Sequence, residues 1–232
     1  MYEAEFFKFV SKWRKTRALP GKAIWPQTIT FGPEYWSNIT PLREITDREG
    51  KEYELSLFYI ESKSLATKPV AGSETQVRSS HTIGTKLVPD SAGKRYERRI
   101  LVDGDIIKRE SISLEDAKKD FDFGFLFNVH THPRHRTLTG DVYVFYSATD
   151  INSLLASNMF MSGLITDRFY LACKTDSVVS SIGEVGMNML NEMTASSYIG
   201  ADELEKKIKT EMDSWGIVFY SGELGRMLQR VN

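Results

Sequence analysis

Apolar residues recur along this chain with two periods, one helical and one of two, and the switches between them outline its elements. Phe6, Val10 and Trp13 fall at helical spacing, with Lys8, Lys12 and Arg14 elsewhere around the turn. That pattern predicts an amphipathic helix over 2–17, closed by Leu19-Pro20-Gly21. A helix of this kind suits a membrane surface or a partner, but packing on its own domain is the commoner role. A strand is expected over 24–31 and a short helix over 34–48, ending near Gly50. Residues 52–62 are apolar on both faces, as in a strand inside a sheet, and the Ser/Thr/Gly/Pro-rich stretch 66–80 reads as a loop. Two β runs, 81–88 and 96–102, precede a turn at 103–105, a return strand to about 111 and a short helix over 113–119.

The aromatic run 123–130 predicts a buried strand, and helical character follows over 150–157. Short strands are expected at 162–167 and 169–174, helices at 183–194 and 201–214, a strand at 216–220 and a last helix to Val231. Strands framed and interrupted by helices, with no internal repeat, low-complexity tract or linker, imply one mixed α/β domain over 1–232. Its core would be a central mixed β-sheet flanked by helices.

Composition changes this picture little. The 232 residues are 41% hydrophobic and 26% charged, ordinary for a globular chain with a real core. A formal net charge of -1 gives no global reason to expect nucleic acid or an acidic membrane surface as partner. The single cysteine, Cys173, excludes an internal disulfide and a Cys-based zinc cage, and is expected to be a small buried hydrophobe. The N-terminus lacks the basic-then-apolar order of a signal peptide. The most apolar stretch, 154–165, is interrupted by Ser157, Asn158 and Ser162 and is too short to span a bilayer. A cytoplasmic, reducing location is the expectation.

Four histidines exist, and two of them form His130-Thr131-His132-Pro133 at the end of the buried strand. Positions i and i+2 on a strand share a face, about 6.6 Å apart along it, so two imidazoles there can converge on one ion. A pair of ordinary hydrogen-bonding histidines fits the same spacing. A zinc site that does chemistry needs a third protein ligand and one open position. Asp150, in Ser147-Ala148-Thr149-Asp150, is the candidate, although Ser-x-x-Asp before an apolar run is also a helix-capping signature. The two readings are compatible, because a helix start presents i and i+3 on one face. Asp141 is a rival ligand, in a Thr-Gly-Asp turn where Asp is common anyway. A carboxylate base is also required. Glu54 lies on an apolar strand where packing gives a charge no reason to be, but Glu52 and Glu61 flank it and charge placement alone leaves the choice open.

A glutamate on an early apolar strand, His-Thr-His-Pro ending another, and Ser-x-x-Asp opening a helix together resemble the JAMM (MPN+) zinc metallopeptidases. The segment Glu54-Leu55-Ser56-Leu57-Phe58-Tyr59-Ile60 is similar to that family's first motif and selects Glu54 among its neighbours. The resemblance covers roughly 24–175 and implies an MPN/JAB (cytidine-deaminase-like) fold, with the helix at 2–17 and the C-terminal helices of 183–232 as elaborations. It implies one zinc per chain on His130, His132 and Asp150, with Glu54 as general acid/base and Ser147 hydrogen-bonding the oxyanion or the water. The implied activity is hydrolysis of a peptide or isopeptide bond after the C-terminal tail of a ubiquitin-like protein, or of an extended peptide. A protein partner or a homodimer stays open.

One departure stands out. The family's second histidine is usually followed by about seven residues before the serine, whereas fourteen intervene here. The surplus is read as an enlarged loop over 134–146, bringing His135, Arg136 and Tyr146 to the substrate, and this loop and 66–80 are the expected specificity elements. A non-catalytic MPN scaffold that binds protein partners is the alternative. Amidohydrolase or phosphoesterase barrels generally need further histidines, and none follows His135.

Overall fold

The computed structural model describes residues 1–60, 63–73, 77, 83–119, 124–137, 140–143, 145–195, 206–207 and 209–232. Helix α1 (Glu3–Thr16) buries Phe6, Phe7 and Val10, the stripe expected of a helix laid on its own core. The next segment differs from the expected strand over 24–31. A single 3-10 turn, Lys22–Ile24, is followed by the two-residue β1 (Thr28–Ile29). Pro20 and Pro26 have no amide hydrogen to give a ladder, and Trp25 is buried in the core instead. Helix α2 (Pro33–Glu49) begins on a proline in its first turn and stops at Gly50, which takes the left-handed conformation at φ 65°.

Strands β2 (Tyr53–Ile60), β3 (Lys63–Ala66) and β4 (Val70–Ala71) follow, so the expected 66–80 loop carries a short strand. Next come β5 (Ile83–Pro89), β6 (Arg95–Val102), β7 (Asp105–Ser113) and the single turn α3 (Leu114–Ala117). Strand β8 (Phe125–Thr131) is followed by β9 (Arg134–Thr137), β10 (Gly140–Tyr143) and helix α4 (Ala148–Ala156). The rest comprises β11 (Met161–Ile165), β12 (Phe169–Lys174), α5 (Gly183–Ala195), β13 (Ile217–Gly222) and β14 (Leu228–Arg230). Of the helix expected over 201–214, residues 201–205 and 208 lie outside the described residues. The described remainder is helical and ends in the 3-10 turn Met212–Trp215.

Two further expectations are corrected. The surplus over 134–146 is not a plain loop: β9 and β10 pair antiparallel, with Arg134 opposite Tyr143 and Thr137 opposite Gly140. The expected last helix is instead a strand returning on β13. Gly225, at φ 80°, supplies a turn conformation that L side chains rarely adopt, and Leu228 is fully buried against the sheet.

The chain is a mixed α/β protein that divides into two compact units, 1–78 with 125–232, and 79–124. The smaller unit is an antiparallel sheet, β5-β6-β7, in which Arg98 pairs with Glu110 at 3.0 Å and donates to Asp116 O at 2.8 Å. The larger unit is built on a sheet ordered β1-β14-β13-β12-β11-β8-β2-β3, with β4 also on β2. One face receives α1 and α2, through Phe6, Phe7, Tyr35, Trp36 and Leu42 packed on Val129, Phe169 and Leu171. The other receives α4, α5 and the Met212–Trp215 turn, packed on Leu164, Tyr170, Ala172 and Phe219. Each buried large side chain contributes roughly 1.5–3 kcal/mol. Among the described residues no helix is long and apolar enough to cross a membrane.

Candidate metal centre

The site arises from one crossover. Strand β8 runs into the β9–β10 hairpin, then α4, then β11, which lies parallel to β8 with Thr131 opposite Ile165. In such a unit the helix runs back against the strand direction, so its N-terminus returns to the strand's C-terminal end. His130 and His132 sit at that end, and Asp150 is the third residue of α4. The hairpin lengthens the path between them without moving its two ends.

Alternation on β8 sends Thr131 to the helix face, where its hydroxyl bonds that of Thr46 on α2 and accepts the Tyr53 N–H at 3.0 Å. His130 and His132 point the other way, with ring centroids 5.0 Å apart. Both imidazoles are buried, and Asp150 Oδ2 lies 3.7 Å from His130 Nε2 and 3.4 Å from His132 Nε2. One nitrogen or oxygen from each of the three residues falls within 4.8 Å of the others. Bonds of 2.0–2.1 Å in a tetrahedral zinc site put ligand atoms about 3.3 Å apart, and the two separations from Asp150 Oδ2, 3.7 and 3.4 Å, lie near that spacing. His130 Nε2 is fully buried and has no hydrogen-bond partner among the described residues, and its lone pair would be taken up by a metal there. Two imidazoles and one carboxylate are a donor set suited to zinc.

Capping and ligation fall on the same oxygen. Asp150 Oδ2 accepts the Ser147 N–H at 2.7 Å and its hydroxyl at 2.8 Å, while Ser147 Oγ accepts the Asp150 N–H at 3.1 Å. Burial would raise the Asp150 pKa, but the adjacent His130 and His132 outweigh it and hold the carboxyl far below its usual range. For His130, burial opposes protonation, yet Asp150, Glu54 and Glu52 outweigh it and the pKa rises. The helix N-terminus favours a carboxylate in its first turn as well.

Strand β2 presents a second polar stripe on the same face. Glu54 pairs in register with His130, and its carboxylate accepts from Asn128 Nδ2 at 3.0 Å; Asn128 Oδ1 in turn accepts the Ser56 hydroxyl at 2.8 Å. Glu52 lies two residues earlier, at the level of His132. Its Oε1 is 3.7 Å from His132 Nε2, and burial raises its pKa against the pull of the two histidines. Both carboxylates therefore bear on the cluster.

The other expected site residues divide. Tyr146 was expected at the substrate but is fully buried, its hydroxyl donated to Ser162 O at 2.6 Å and its ring 5.8 Å from His130. It forms the wall behind that imidazole, because an aromatic just before the helix packs inward with Phe145. His135 and Arg136 lie on β9, opposite Val142 and Asp141, and the side chains of these four residues lie outside the described set. Sequence reasoning missed Arg43. It is buried on α2, donates to His132 O at 3.3 Å and pairs with Asp47, which also receives Arg134 at 3.0 Å. Its only sequence signal was a charge amid the apolar positions of α2.

Comparison with known protein families, with curated proteins and with solved structures found no match to this chain.

Proposed function

We propose that this chain is a zinc-dependent peptidase or isopeptidase with an MPN/JAB-type fold, one zinc being held by His130, His132 and Asp150. The observation that carries the reading is the convergence of the three donor atoms around the orphaned His130 Nε2, beside two carboxylates on the neighbouring strand. A zinc ion there supplies Lewis acidity toward a carbonyl and lowers the pKa of water to about 7. Glu54 takes a proton from the attacking water and returns it to the departing amine. Ser147 reaches the oxyanion by exchanging its hydrogen bond to Asp150 for one to the substrate, an interaction of a type worth about 2.7–4 kcal/mol. Substrates are extended peptide segments, foremost the C-terminal tail of a ubiquitin-like protein in a peptide or isopeptide linkage.

A panel of ubiquitin-like fusions and plain peptides, incubated with zinc-loaded protein, tests this. Glu54→Gln is expected to keep its zinc and lose turnover by at least about 100-fold. The burial and raised pKa of Glu52 favour a second assignment of the base. Turnover surviving in Glu54→Gln but lost in Glu52→Gln moves the role to Glu52. Zinc binding with no cleavage of any panel member supports the other class, a scaffold that only binds protein partners.

A further inference from the structure

A cavity of about 630 Å³, outside the metal cluster, is lined among the described residues by Arg168, Lys206, Lys209, Arg226 and Arg230, with Glu223 the one acidic side chain among them. The cations come from separate elements: Arg168 from the β11–β12 turn, the lysines from the helical residues before Met212, Arg226 from the β13–β14 turn and Arg230 from β14. Like charges drawn together from four segments repel one another, and hydrophobic packing does not require them there. Arg230 donates to backbone oxygens of Lys22, Trp25 and Asn232, which orient its guanidinium. The cavity borders the Phe169–Gly222 end of β12 and β13, and the strand pairings put that end on the same side of the sheet as the C-terminus of β8.

From this cleft we infer a second ligand site, for a compact polyphosphate group such as a nucleoside triphosphate or inorganic triphosphate. Several negative charges on adjacent phosphoryl groups match five cations around one cavity, and Arg offers the forked donors that phosphate oxygens accept in pairs. An extended acidic peptide fits less well, because same-face carboxylates lie about 6.6 Å apart along it and reach few of the cations at once. Met227 and Val231 add an apolar wall on which a nucleobase can rest. The volume lies within the roughly 300–1,000 Å³ of small-molecule sites.

The experiment is calorimetric titration of the full chain, stripped of zinc so that chelation adds no heat. The titrants are inorganic triphosphate, a nucleoside triphosphate and an acidic peptide of equal charge. Saturable binding of both phosphates, weakened about tenfold or more by Arg226→Glu and by Lys209→Glu and unchanged by Lys8→Glu on α1, is the expected result. Tighter binding of the nucleotide assigns a role to the base, and equal affinity assigns the site to the phosphate chain alone. The inference is overturned by absence of binding, by equal weakening in Lys8→Glu, or by tighter binding of the acidic peptide. Both charge-reversed cleft residues are exposed, and circular dichroism confirms that each variant is folded.

Discussion

Asp150 Oδ2 closes the start of α4 and faces two histidine nitrogens, so a single substitution separates its roles. Asp150→Asn keeps an oxygen for the Ser147 N–H but removes the charge, and zinc affinity is expected to fall at least about 100-fold with the fold intact, read by chelator competition. Arg43 acts through His132. Arg43→Met removes the guanidinium that donates to the His132 carbonyl and one of the two cations on Asp47. Zinc affinity should drop about 10–100-fold, accompanied by a lower melting temperature. The histidine pair and Asp150 were each legible in the sequence, as i and i+2 on a strand end and as a helix start, while the resemblance joined them into one site. Arg43 was not, since its value depends on a carbonyl 89 residues away that only the tertiary fold delivers. Tyr146 was misjudged for the same reason: an aromatic beside a predicted cleft has no sequence mark saying which way it turns.

At the scale of elements, α4 is fixed at both ends. Lys174 on β12 is buried and donates its ammonium to the carbonyls of Leu154 at 2.9 Å and Ser157 at 2.7 Å, closing the helix C-terminus opposite Asp150. Burial lowers its pKa. Lys174→Met is expected to cost about 1–3 kcal/mol, seen as a lower denaturation midpoint, while zinc stoichiometry stays unchanged. The β9–β10 hairpin obeys a different logic. Because the crossover sets the helix start, replacing 134–143 with a short Gly-Ser linker should leave zinc bound and alter which substrates are cleaved. Long periodic elements such as α1, α2 and β8 were legible within a few residues. The hairpin and β14 were not, because strands of three or four residues carry too few alternations to outweigh a turn or helix reading, and their pairing partners decide them.

At the scale of the molecule, the unit formed by 79–124 is inserted between the strand that carries Glu54 and the strand that carries His130. No linker marks it in the sequence, since its boundary is a change of contacts rather than of composition. Zinc that binds the folded chain alone stabilises it by about 2.7 kcal/mol at one hundred times its dissociation constant. For a chain of this size that is a rise of roughly 5–10 °C in melting temperature, reversed by chelation and absent in Asp150→Asn. The most direct test is the metal content of the purified chain, by mass spectrometry after expression with zinc. One zinc per wild-type chain, and none in His130→Ala or in Asp150→Asn, is the predicted result. A folded wild-type chain that carries no zinc, or variants that carry as much as the wild type, would contradict it.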